Sequence, residues 1–136
     1  MNRSKRKLRN ELGAVAVEFA LIAPILIALV MGILEFSNFY NVQISVTQAA
    51  REGARTMAIT NDQTQATNAA KAGAPGISAS GFNVSAANPT PFVFSETACA
   101  SGETMELTVT YQGAALTGLF GSSFQVKGEG AMLCGG

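Results

Sequence analysis

Glu18 stands alone as a charge within AVAVEFALIAPILIALVMGIL, the run from Ala14 to Leu34. A carboxylate inside a membrane helix costs on the order of 2.5 to 3.5 kcal/mol by insertion scales, so it needs a compensating partner. Two arrangements would supply one. Glu18 lies four residues past Ala14, about 6 Å of helical rise, which is close enough to reach toward lipid headgroups. Alternatively, a cut after Gly13 would make Ala14 a new N-terminus and Glu18 the fifth residue of the shortened chain. The freed α-amino group is then the cation. It could meet Glu18 in its own helix or that of a packed neighbour, where the pairing would set axial register.

Few other residues are equipped for chemistry. The chain has no His and no Trp, which removes the commonest general base and metal ligand. Glu103, Glu106 and Glu129 could come together by strand pairing, but no His or Asp set accompanies them. Gly118 to Gly121 and Gly128-Glu129-Gly130 lack the spacing of a phosphate loop or dinucleotide turn and read as turns and bulges. Asn83-Val84-Ser85 fits a glycosylation sequon, a three-residue pattern that is more often coincidence than a modified site. No catalytic residue, metal ligand, cofactor site or small-molecule substrate is expected. Cys99 and Cys134 lie far from the basic end, and a single structural disulfide in an oxidising compartment is their expected state.

The elements that position these residues begin with charge. Arg3, Lys5, Arg6, Lys7 and Arg9 are five of the nine basic residues. Past residue 13, four basic side chains (9 − 5) face eight carboxylates (9 − 1), a balance unsuited to nucleic acid. The apolar run is long enough to cross a hydrocarbon core of about 30 Å. With the basic cluster before it, the positive-inside rule puts the N-terminus in the cytoplasm and everything after about Glu35 outside. A secretory signal peptide has a shorter apolar region, and Gly32-Ile33-Leu34-Glu35-Phe36 makes a poor cleavage site.

Helical character continues beyond Leu34. Phe36, Phe39, Tyr40, Ile44, Thr47, Ala50, Ala54 and Met57 recur at three- and four-residue steps, predicting an apolar stripe on a rod of about 70 Å from Ala14 to Thr60. Phe36, Phe39 and Tyr40 suit either an interfacial aromatic belt or packing against the exported domain. Pro24 should bend the helix within the membrane. Arg51 and Arg55 share a face, with Glu52 three before Arg55 and Gln48 four before Glu52. That patch is either a solvated, self-paired surface or a docking face for another subunit.

Two strings now carry a resemblance. Gly13-Ala14-Val15-Ala16-Val17-Glu18-Phe19-Ala20-Leu21-Ile22-Ala23-Pro24, after a short basic leader, resembles the TadE-like family of minor pseudopilins from tight-adherence (Flp, type IVc) pilus systems. Gln48-Ala49-Ala50-Arg51-Glu52-Gly53-Ala54-Arg55 is similar to the segment that follows the membrane helix in that family. The resemblance implies that a prepilin peptidase, a membrane aspartic protease, cuts after Gly13. It makes Ala14 the mature N-terminus and Glu18 the glutamate needed for processing or assembly. Ordinary type IVa pilins begin their mature form differently, and major Flp pilins are much shorter, so a minor component is implied. Its partners would be inner-membrane lipid, the peptidase and other pilin and pseudopilin subunits. Its place would be the bacterial inner membrane as a single-pass protein with a periplasmic C-terminal domain, with entry into an adhesive cell-surface pilus open. The alternative is an uncleaved, single-span periplasmic scaffold protein of the same machinery.

From Thr60 to Pro91 the composition turns to Ala, Thr, Ser, Asn, Gly and Pro, predicting loops and a short polar helix. Met105 to Tyr111 alternates apolar and polar residues, and Phe124 to Met132 puts Phe124, Val126 and Met132 on one side. Phe82 to Val84 and Phe92 to Phe94 are weaker strand candidates. Cys134 continues the inward parity of Phe124, so its bridge to Cys99 would tie the last strand to the loop entering the sheet. The expected fold is α+β and pilin-like. It comprises a basic leader (1–13), a transmembrane helix (14–34), an amphipathic extension (35–60) and a β-rich exported domain with a small antiparallel sheet (61–136).

Overall fold

The computed structural model describes residues 3–118 and 121–135, with residues 3–12 by backbone alone. The basic side chains before residue 10 therefore lie outside the described side chains. Helix α1 runs from Arg3 to Thr60 and is the one helix among the described residues long and apolar enough to cross a membrane. By Cα packing the chain divides into two units at Phe36 and Ser37. In the first unit, the large apolar side chains from Val15 to Leu34 are exposed.

In the second unit, α1 ends at a corner made by two residues. Asn61 takes the left-handed conformation (φ 52°), and its amide donates to the Met57 carbonyl at 2.9 Å. Asn tolerates this conformation better than most side chains, which suits it to ending a helix. Asp62 then caps α2 (Gln63–Ala72), its Oδ1 accepting from the amides of Thr64 at 2.8 Å and Gln65 at 3.1 Å. These bonds satisfy donors that a helix start leaves orphaned. They also hold the Asp62 carboxyl below its usual range, the Gln65 amide having the largest effect.

Three strands follow: β1 (Phe92–Phe94), β2 (Thr104–Ala114) and β3 (Ser123–Leu133). They form one antiparallel sheet in the order β1-β2-β3, with Leu107 opposite both Phe94 and Gly130. The two clear strands are thus where the alternation placed them, and the weak candidate at Phe92 is a strand. Phe82 is not. It closes a single 3-10 turn, Ala79–Phe82, and packs edge-on against Tyr111 with ring centroids 4.9 Å apart. Asn88, fully buried, holds this segment on the sheet by donating to the Thr110 carbonyl at 2.9 Å and the Gly81 carbonyl at 3.3 Å.

The helix face that meets the sheet differs from the stripe expected. Val42, Ser45, Val46, Ala49, Ala50, Ala54 and Met57 are buried, and so is Gly53, a row with the three- and four-residue steps of one helix face. Ala50, Ala54 and Met57 belong to both stripes, whereas Tyr40 and Ile44 are 58% and 49% exposed. The physical reason is separation. A Cβ at Gly128 would lie 2.5 Å from the Val46 carbonyl oxygen, and one at Gly130 would lie 2.6 Å from the Arg51 amide nitrogen. Strand β3 thus lies almost on the helix backbone, and only small residues fit between them. Gly128 and Gly130 are accordingly mid-strand residues facing the helix, rather than turns or bulges. Gly118 and Gly121, at φ of 69° and 123°, do serve the connection between β2 and β3.

A second, smaller cluster of Met57, Ala66, Met105 and Cys134 fills the corner between α1, α2 and the strand ends, with Cys99 packed against it. Cys99 and Cys134 are bridged, their Cα atoms 5.5 Å apart. The Asn61 side chain accepts from the Cys99 amide at 2.6 Å, which ties the bridged loop to the helix corner.

Candidate functional site along the N-terminal helix

Gly13 and Ala14 lie within α1, with nothing within 4 Å of the position a Gly13 Cβ would take. Glu18 is one turn further on and exposed, flanked by the exposed Val15, Val17, Phe19, Leu21 and Ile22. Residues four apart on a helix are neighbours on one face, so Ala14, Glu18 and Ile22 form a row. Among the described residues Glu18 has no basic partner. Its row therefore presents a single acidic group in an apolar surround, one turn above Ala14.

Pro24 is contained within α1 without ending it. Its ring nitrogen carries no hydrogen, so the Ala20 carbonyl lacks the donor that the helix would otherwise provide.

Arg51, Glu52 and Arg55 are exposed on the upper part of the same helix. Arg55 Nη1 and Glu52 Oε2 are 4.0 Å apart with both side chains well solvated, an arrangement worth little to stability. The Glu52 Cβ lies 3.0 Å from where a Gly73 Cβ would be, so its stem packs against the end of α2 while its charge faces water. Of the three glutamates on the sheet side, Glu106 and Glu129 are diagonal neighbours across β2 and β3. Among the described residues no set of three or more acidic or cysteine side chains could hold a metal ion.

Gln43 is a functional contact that the sequence marks only faintly. Its Nε2 donates to the Lys127 carbonyl of β3 at 2.8 Å and lies 3.5 Å from the Thr47 hydroxyl oxygen. Its only sequence signal is its position one residue after the buried Val42, on the rim of the packed face. Asn61 carries a clearer signal, since Asn followed by Asp after a long helical run is a recognisable stop and start.

Residues 13–55 match the sequence model of the family described as TadE-like protein, the family that the two strings resemble. The matched stretch includes Gly13, Ala14, Glu18, Pro24, Arg51, Glu52 and Arg55. It leaves out α2, the sheet, Cys99 and Cys134. Neither a curated protein nor a solved structure matches the chain.

Proposed function

We propose that this chain is a minor pseudopilin of a tight-adherence pilus, a structural subunit rather than an enzyme. A prepilin peptidase would release it after Gly13. The protein would stay in the bacterial inner membrane through α1, with its sheet domain in the periplasm, until it is used in initiating, capping or assembling the pilus. Partners on this reading are the peptidase and other pilin and pseudopilin subunits.

The observation that carries the reading is Glu18. It is an exposed carboxylate one turn past Ala14 on an otherwise apolar helix surface, inside the stretch matched by the TadE-like model. An anchor alone gains nothing from a carboxylate there and bears its desolvation cost. A subunit whose Ala14 amine is freed has a cation of the right sign at the right distance, in its own helix or from a neighbour.

The test is the N-terminus of the membrane-extracted protein, read by intact and N-terminal mass spectrometry in cells that process other pilins. A chain beginning at Ala14 is expected. A chain that still carries its basic leader in such cells overturns the reading in favour of an uncleaved scaffold protein.

A further inference from the structure

The sheet ends at β3, and half of that strand's backbone faces away from it. The Cys134 amide donates to the Glu103 carbonyl at 2.8 Å, and the Ala115 amide to the Ser122 carbonyl at 3.2 Å. In the register that pairs Leu107 with Gly130, even-numbered residues of β3 therefore bond to β2. The amides and carbonyls of Gln125, Lys127, Glu129, Ala131 and Leu133 point outward. Gln43 covers one of these groups, the Lys127 carbonyl. Above it, Glu129, Ala131, Met132 and Leu133 are exposed, Leu133 by 58%. Among the described residues no backbone or side-chain group outside the sheet bonds to Glu129, Ala131 or Leu133.

We infer that the outer edge of β3 from Glu129 to Leu133 receives an extended segment of a neighbouring assembly subunit, added as a fourth strand. Donors and acceptors that repeat every second residue along a line are complementary to extended backbone and to little else. The segment's chemistry follows from its two faces. Residues paired with Glu129, Ala131 and Leu133 lie on the outer face, and those between them turn toward the helix side. There the row that begins with Gln43 continues by steps of four through Thr47 to Arg51 and Arg55. The segment is therefore acidic at alternate positions, complementary to the two arginines.

A second copy paired antiparallel, β3 to β3, does not supply this chemistry: odd-numbered residues would meet odd-numbered residues, so Gly128, Gly130 and Met132, none of them acidic, would turn toward the arginines.

This inference rests on the assembly reading above, and amide hydrogen exchange separates the two. The full chain is compared alone in detergent micelles and in the complex recovered after co-expression with the other pilus subunits. Alone, the amides of Glu129, Ala131 and Leu133 should exchange at least about 100-fold faster than those of Gly128, Gly130 and Met132 on the same strand. In the complex, the outward set should slow by about 100-fold or more. Ala131→Pro removes an outward N–H that the sheet does not use. It should keep the disulfide and the melting temperature of the sheet domain, yet abolish both the protection and the complex. Outward amides that stay fast in the complex, an Ala131→Pro variant that assembles like wild type, or failure to form any complex each overturns the inference. A chain beginning at Ala14 that still forms the complex would, in the first two cases, leave the assembly reading in place, whereas failure to form any complex counts against both.

Discussion

The two parts of α1 share a backbone geometry and use opposite kinds of surface. From Val15 to Leu34, bulky Val, Leu, Ile and Phe side chains point in every direction and are exposed. From Val42 to Met57, one face is built mainly of Val, Ser, Ala and Gly and is buried under a sheet. Both stretches are apolar, so apolarity does not separate them. Residue size does. A surface made for lipid has no partner to approach and gains from bulk, whereas a surface made for a strand gains from letting two backbones come close, where many weak contacts add up.

That contrast can be broken most severely at Gly130 or Gly128. Gly130→Val would place side-chain atoms where the Ala50 carbonyl and Arg51 amide now lie, and neither is a flexible group that can step aside. The expected loss is about 3 kcal/mol or more of sheet-domain stability, read as a lower midpoint in denaturant. Gly13→Ala, with open space around it, should leave that midpoint unchanged. Equal effects at the two sites would erase the distinction.

The disulfide has an effect of similar size but another origin. It closes a sequence separation of 35 residues, and in the chain-entropy model its loss costs about 4 kcal/mol. Cys99→Ser with Cys134→Ser should lower the melting temperature of the sheet domain. It should also raise exchange first in the Thr97 to Glu103 loop, because Cys99 and Cys134 share the small corner cluster with Met57 and Met105. Uniform loosening of the whole sheet would contradict the separate corner.

Asp62 gives the mildest change. Its folded pKa lies below the ordinary value of 3.8, so its contribution is complete above that value and is lost as pH falls through the folded pKa. Asp62→Asn keeps a capping oxygen but does not titrate. Its melting temperature should fall slightly less steeply than that of wild type below about pH 4, as followed by circular dichroism. A steeper fall would mean that the carboxylate does not cap α2.

Much of this fold is legible from spacing alone. Met105 to Tyr111 alternates because one face of β2 meets the core and the other meets water, and Cys134 keeps the parity of Phe124 and Val126. The face of α1 was harder, because Phe36, Tyr40 and Ile44 outweigh Ala49, Gly53 and Ala54 on any scale that counts apolar bulk. Gly128 and Gly130 held the clue: they share the inward parity of Val126, so absent side chains there imply something close beneath. Asn88 could not have been foreseen, since its partners are carbonyls of Gly81 and Thr110, brought together only by the folded chain. At the N-terminal site, Glu18 and Gly13 were legible because one charge in an apolar run is conspicuous. Gln43 was not, since its role depends on where β3 lies.

Glu18→Leu tests the assembly role most directly. With Glu18 replaced, the sheet domain should keep its melting temperature and its disulfide, because Glu18 is not among the residues described in that domain's core or its disulfide. Recovery of the protein with the other pilus subunits, measured by quantitative mass spectrometry of the assembled fraction, should fall at least about tenfold, the equivalent of about 1.4 kcal/mol of lost pairing. A Glu18→Leu protein recovered in the assembled fraction at wild-type level would contradict the assembly role assigned to this helix.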